Sequence, residues 1–210
     1  MYIAIINYNM GNIKSVENAF IKIGAEIKVT KNPGTIIDAD AVVLPGVGAF
    51  GDAMKNLKEL KLYDVIKEII SSDTPFLGIC IGLQVLFEFG MEGGKNKGLG
   101  IFKGIVKKIP EGVKIPHMGW NRLKILNKKS KLLEGIKDGE SFYFIHSYLA
   151  ECEDKSIISS TTDYGVDIAA SVEYKSTYGV QFHPEKSSTC GLQILSNFVN
   201  IAKTSKRKAG

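Results

Sequence analysis

The sequence is poor in cysteine and has no long apolar run. Its three cysteines, Cys80, Cys152 and Cys190, are scattered and form no Cys-x-x-Cys pair. That spacing argues against a disulfide framework and against a cysteine-built zinc site. No apolar stretch approaches the ~18 residues that a membrane-spanning helix needs. The opening Met1-Tyr2-Ile3-Ala4-Ile5-Ile6-Asn7 is apolar but has neither a basic start nor a cleavage site, so it reads as a first β-strand rather than a leader. The expectation is a reduced, cytoplasmic protein without a metal or organic cofactor. The net charge of +5 raises the question of nucleic acid, but the lysines sit in short groups such as Lys107-Lys108 and Lys128-Lys129. No aromatic interleaving or RNA-module signature accompanies them, so they read as solvated faces.

The 210 residues are 44% hydrophobic and 23% charged, enough apolar mass for one filled core and too little charge imbalance for bulk disorder. In the first half, short β-branched runs (2–7, 26–30, 41–44, 75–79) alternate with amphipathic stretches (13–23, 50–60, 62–71, 82–89). Strand–helix alternation of this kind predicts an α/β fold, a doubly wound and mostly parallel sheet with right-handed crossovers. In the second half the pattern changes to strands at 104–109, 122–126, 141–145, 156–162, 169–174 and 178–182, then a helix at 190–202. We read this as an antiparallel extension of one domain spanning 1–203, followed by a polar basic tail at 204–210.

The strongest local signal is Gly78-Ile79-Cys80-Ile81-Gly82-Leu83-Gln84, a Gly-x-Cys-x-Gly set where a buried strand turns into a helix. It is the thiol counterpart of the Gly-x-Ser-x-Gly elbow. Such a turn projects the nucleophile clear of the sheet, and the two glycines avoid collisions with the neighbouring strand and helix. The following helix start favours a thiolate and aims the Ile81 N–H where a substrate oxygen would gain charge. Cys152 lies among Glu151, Glu153 and Asp154, and Cys190 has no base beside it in sequence, so both read as packing.

A thiol nucleophile needs a base, and only His117, His146 and His183 are available. In Phe182-His183-Pro184-Glu185 an apolar strand ends at the histidine, and a carboxylate two residues on can hold one imidazole nitrogen while the other faces the thiol. Pro45-Gly46-Val47-Gly48 follows the third strand and falls on the same sheet edge, where a second oxyanion N–H from Val47 or Gly48 would fit. His117, between Pro116 and Met118, suits an interface better than catalysis. His146 ends a strand and is read as ordering the backbone of Ser147 and Tyr148.

Together, Pro45-Gly46-Val47-Gly48, the Cys80 elbow with Gln84, and His183-Pro184-Glu185 resemble the class I (triad) glutamine amidotransferases. Asn9-Met10-Gly11-Asn12-Ile13, Lys97-Gly98-Leu99-Gly100, Pro116-His117-Met118-Gly119-Trp120-Asn121, Phe144-Ile145-His146-Ser147-Tyr148 and the segment from Gln181 to Ser188 narrow the likeness. Over about residues 3–202 the chain looks like the glutaminase subunits of imidazole glycerol phosphate synthase.

The resemblance implies a triad of Cys80, His183 and Glu185, with oxyanion donors at Val47, Gly48 and Ile81. It implies a glutamine pocket at Gly46, Gln84, Glu92, Tyr143, Ser147 and Tyr148, although Phe89-Gly90-Met91 beside Glu92 departs from the family's more polar pattern. Asn12, Trp120 and Lys186 would face the partner, a (β/α)8-barrel cyclase subunit. Ammonia would pass to it for making imidazole glycerol phosphate and aminoimidazole carboxamide ribonucleotide in histidine biosynthesis. A subunit serving another synthase, a stand-alone cysteine hydrolase of similar fold and a non-catalytic binding subunit remain as alternatives.

Overall fold

The protein was studied as a computed structural model, which describes residues 1–206. Its organising feature is an eight-stranded sheet. The strands, in chain order, include β1 (Ile3–Ile6), β2 (Ile27–Thr30), β3 (Ala41–Leu44) and β4 (Phe76–Ile79). The later members are β9 (Lys124–Ile125), β12 (Ile158–Asp163), β13 (Asp167–Tyr174) and β14 (Thr177–Val180). Their spatial order is β2-β1-β3-β4-β14-β13-β12-β9, parallel from β2 to β14 and antiparallel beyond. Strands β1, β3, β4 and β14 are buried along their whole length, as parallel strands covered on both faces should be.

Helices α1 (Ile13–Lys22), α2 (Pro33–Ile37), α3 (Phe50–Glu59), α4 (Leu62–Ser71) and α6 (Ser188–Lys206) cover the sheet. The α4 pattern shows why: Leu62, Val65, Ile66 and Ile69 recur at helical spacing and are the buried residues of that helix. Helix α6 continues past the expected domain boundary at residue 203, and 207–210 of the expected tail lie outside the described residues.

Two smaller sheets cap the carboxyl edge. One pairs β8 (His117–Arg122) with β10 (Ser141–His146) in antiparallel register. The other orders β11 (Tyr148–Cys152), β7 (Phe102–Lys108), β5 (Phe87–Gly90) and β6 (Asn96–Lys97).

The helix expected over 82–89 is therefore corrected. Helix α5 is a single turn, Ile81–Gln84, and the chain then enters β5. Tertiary hydrogen bonds decide this: the Leu86 carbonyl accepts from the N–H of Ile101 and of Phe102 instead of continuing a helix. The strand expected at 122–126 contains β9 (Lys124–Ile125), and a separate β8 precedes it from His117, where its pairing with β10 starts.

Candidate active site

In an open α/β sheet the loops beyond the strand carboxyl ends form the natural ligand cleft. Here those loops follow β1, β3, β4 and β14, and a cleft of about 470 Å³ lies among the side chains near them. Val47, Gly48, Cys80, Ile81, Gln84, Glu92, Ser147 and Tyr148 line it, joined by His146, Met118 and Lys186.

The elbow is built by close approach. Cys80 has φ +54° and ψ −108°, a conformation that L-residues rarely adopt, and its N–H is held by the Val180 carbonyl at 2.8 Å. A side chain on Gly78 would overlap the Gly82 carbonyl oxygen, and one on Gly82 would overlap that of Leu44. Only glycine lets β3, β4 and α5 approach this closely, which anchors the strained residue from both sides.

His183 follows β14, its N–H bonded to the Tyr143 carbonyl at 2.9 Å. Its Nδ1 meets Glu185 Oε1 at 2.7 Å, and both side chains are fully excluded from solvent. Burial alone pushes the imidazole toward the neutral form. The nearby Cys80 thiol and its charge, with the hydrogen bond and charge of Glu185, outweigh it and raise the pKa to about 10. With Nδ1 committed to Glu185, Nε2 has no hydrogen-bond partner. The arrangement is a buried imidazole held by a carboxylate, and negative charge on Glu185 and Cys80 favours its protonated form.

Two further polar side chains complete this centre. Asn12, at the start of α1, donates through Nδ2 to Glu185 Oε1 at 2.5 Å and lies 3.5 Å from His183 Nδ1. The resemblance places it at the partner interface; here it is half-buried and its side chain reaches Glu185 from a left-handed residue (φ 74°) at the start of α1. Gln181, fully buried, places Nε2 3.6 Å from Cys80 Sγ and accepts from Gln84 Nε2 at 2.9 Å. Sequence reasoning assigned it no role, although a glutamine within the apolar run from Tyr178 to Phe182 was a visible anomaly.

Gln84 Nε2 also donates to the Tyr148 carbonyl at 3.1 Å. That carbonyl accepts a second bond from His146 Nδ1 at 2.8 Å. Since a carbonyl only accepts, His146 carries its proton on Nδ1 and leaves Nε2 as an acceptor for His117 Nδ1 at 3.0 Å. His117 Nε2 then accepts from Asn121 at 3.2 Å. Burial lowers the pKa of both imidazoles to about 4, in keeping with a neutral, directional chain. The expected interface role of His117 is thereby corrected: it is buried, with ring centroids 3.9 Å from Tyr164 and 4.8 Å from Phe144.

The opposite face of the β8–β10 ribbon is exposed. Met118 and Trp120 are 59% and 56% accessible, and Trp120 meets Tyr143 edge-on at 6.1 Å. Lys186 Nζ stands 5.9 Å from the Tyr143 ring. Tyr143 thus lies with Trp120 and Lys186 at the rim and does not line the cleft, while its backbone holds His183. Gly46 lies just outside the cleft lining, packed on Tyr8 and Ile81. Glu92 lines the cleft and accepts from the Phe50 N–H at 2.8 Å, placing its carboxylate at the start of α3.

Burial pushes the Cys152 thiol up to about 11 and also raises Cys190, with Glu140 adding to the latter. Neither is placed for attack. Among the described residues there is no cluster of three or more metal-ligating side chains, and no helix is long and apolar enough to cross a membrane.

A family profile described as Glutamine amidotransferase class-I matches residues 4–202. The imidazole glycerol phosphate synthase subunit HisH of Dehalococcoides mccartyi (strain ATCC BAA-2266 / KCTC 15142 / 195) is 49% identical, covering 98% of this chain and 100% of that one. The subunit of the same name from Aquifex aeolicus is 50% identical, covering 100% and 98%. A solved PurLQS structure from Thermotoga maritima shares the fold at 19% identity, with a TM-score of 0.72 over 95% of this chain and 97% of that one. The chain belongs to the class I glutamine amidotransferase family and, within it, to the group of imidazole glycerol phosphate synthase subunit HisH.

Proposed function

We propose that this chain hydrolyses glutamine through a thioester on Cys80 and delivers the ammonia to a (β/α)8-barrel cyclase with which it forms a heterodimer. The observation that carries the reading is the buried Glu185–His183 pair whose free nitrogen and raised pKa serve a thiol at a strained elbow. The cyclase incorporates the ammonia to yield imidazole glycerol phosphate and aminoimidazole carboxamide ribonucleotide, steps of histidine biosynthesis, in the cytoplasm.

Glutamine binds in the cleft with its carboxamide over Cys80. Gln84, Ser147 and Tyr148 fix its position, and the Glu92 carboxylate receives the α-ammonium group. The Cys80 thiolate adds to the carboxamide carbon, and the oxyanion is held by N–H groups of Ile81 and of Val47 or Gly48, each worth roughly 3–4 kcal/mol in comparable hydrolases. His183 gives its Nε2 proton to the amide nitrogen, the C–N bond breaks and ammonia leaves. A water then loses a proton to His183 and attacks the thioester, releasing glutamate and restoring the thiolate. Asn12 and Glu185 hold the imidazole in place, and no cofactor is required. Trp120 and Lys186 provide the docking rim.

The test is turnover by the Cys80→Ala complex with its cyclase. Glutamine-driven turnover is expected to vanish while ammonium-driven turnover persists. Retention of both would end the proposal.

A further inference from the structure

Tyr8 is fully buried, yet its hydroxyl has no hydrogen-bond partner. A buried, unpaired hydroxyl destabilises a fold, and phenylalanine would fill the same volume without that cost. Packing therefore does not account for the oxygen. Its location does.

Tyr8 leaves the carboxyl end of β1, whose neighbour in the sheet is β3. A Cβ built on Gly46 would overlap the Tyr8 hydroxyl oxygen and would lie 3.2 Å from Ile81 Cβ. The hydroxyl thus sits directly beneath the backbone of the 45–48 loop, on the side facing the elbow. The charge of Cys80 acts on it, and burial together with that charge raises its pKa, keeping it a donor at any working pH. Cys80 Sγ, by contrast, already has Gln181 Nε2 beside it at 3.6 Å. Glycine leaves the loop's peptides conformationally unrestricted: Gly48 holds φ +110°, and Gly46 carries no side chain to lock the peptide on either side of it.

We propose that Tyr8 is a positioning residue for the glutaminase step: its hydroxyl donates to a main-chain carbonyl of the 45–48 loop in the conformation that turns a loop N–H toward the substrate oxyanion. Rotating a peptide unit exchanges its carbonyl and N–H directions. Turning an N–H up into the cleft therefore turns a carbonyl down, toward the Tyr8 hydroxyl. In the present conformation the hydroxyl is idle. In the competent conformation it compensates the carbonyl for what it leaves behind. This rests on the glutaminase reading above.

The variant Tyr8→Phe, in complex with the cyclase subunit, tests it. Glutamine-driven kcat is expected to fall about tenfold, the effect of one hydrogen bond made only in the transition state. KM for glutamine, ammonium-driven turnover and the rate of Cys80 alkylation by iodoacetamide are expected to stay unchanged, and Tm to stay equal or rise. Gly46→Ala is expected to be less damaging in the Tyr8→Phe background than alone, since the overlap is with the hydroxyl oxygen. An unchanged kcat would reduce the hydroxyl to packing. Alkylation falling in step with kcat would show that it acts on the thiol, and a lowered Tm would show a structural partner; each overturns the inference. A wild-type complex unable to hydrolyse glutamine would overturn the glutaminase reading, and this inference with it.

Discussion

Asn12→Ala isolates the polar support behind the triad. Asn12 Nδ2 donates to Glu185 Oε1 at 2.5 Å, the same oxygen that meets His183 Nδ1 at 2.7 Å. Removing the amide leaves a carboxylate that is already fully buried with one donor fewer, while its Oε2 has no partner to take over. A hydrogen bond to a charged group is worth about 1.5–3 kcal/mol, on the order of 10- to 150-fold in rate if all of it is felt in the transition state. The loss should appear in glutamine-driven kcat, because Glu185 orients the imidazole and does not line the cleft. Steady-state kinetics with glutamine and with ammonium, on one preparation of the complex, separates the chemistry from the cyclase. Calorimetric titration with the cyclase separates both from docking. If glutamine-driven kcat is intact and only the affinity for the cyclase drops, Asn12 serves the interface and the inward role derived from its geometry is wrong.

Other perturbations have equally direct readouts. Gly82→Ala places a methyl group against the Leu44 carbonyl, so β3 and α5 must part; about 3 kcal/mol of stability, read by denaturant titration, should go with it. Full retention of stability would mean that the elbow tolerates spreading. The His117–His146 pair should make stability depend on pH. Both imidazoles titrate near 4 in the fold instead of 6.5, so the unfolded chain binds more protons between those values. Stability is then complete above pH 6.5 and falls as the pH drops through about 4, by at most roughly 3 kcal/mol per histidine. Replacing both with glutamine should flatten that slope, and an unchanged slope contradicts the neutral chain. Trp120→Ala, on an exposed side chain, should leave Tm unaltered but weaken association with the cyclase about 30-fold, near 2 kcal/mol. Unchanged affinity would move the docking face elsewhere.

The parts of the fold that could be read from the sequence are those whose burial is uniform. Ile3–Ile6, Ala41–Leu44 and Phe76–Ile79 are short, wholly apolar runs set between amphipathic stretches, and they form the parallel strands. Cys80, His183 and Glu185 stood out as candidates for a related reason: elbow and strand-end geometry are encoded locally by glycine and proline. Residues 82–89 misled because their two polar residues, Gln84 and Glu88, fall four apart, the spacing of one helix face. Their strand is decided by β7, far along the chain. The His117–His146 chain depends on a cross-strand register that no local spacing reveals. Asn12, at the start of α1, and Gln181, just after β14, reach the His183–Glu185 pair and Cys80 from different parts of the chain, and Tyr8 matters only because β1 and β3 are neighbours. Contacts made by strand order alone lie beyond a reading of local pattern.

The most direct measurement is rapid acid quench of the complex turning over glutamine, followed by peptide mass spectrometry of all three cysteines. A glutamyl thioester is expected on Cys80 and on neither Cys152 nor Cys190, and it should build up further when His183 is replaced by glutamine in enzyme that retains any acylation. Steady hydrolysis of glutamine with no adduct on Cys80, or with the adduct on another cysteine, would contradict covalent catalysis at this elbow.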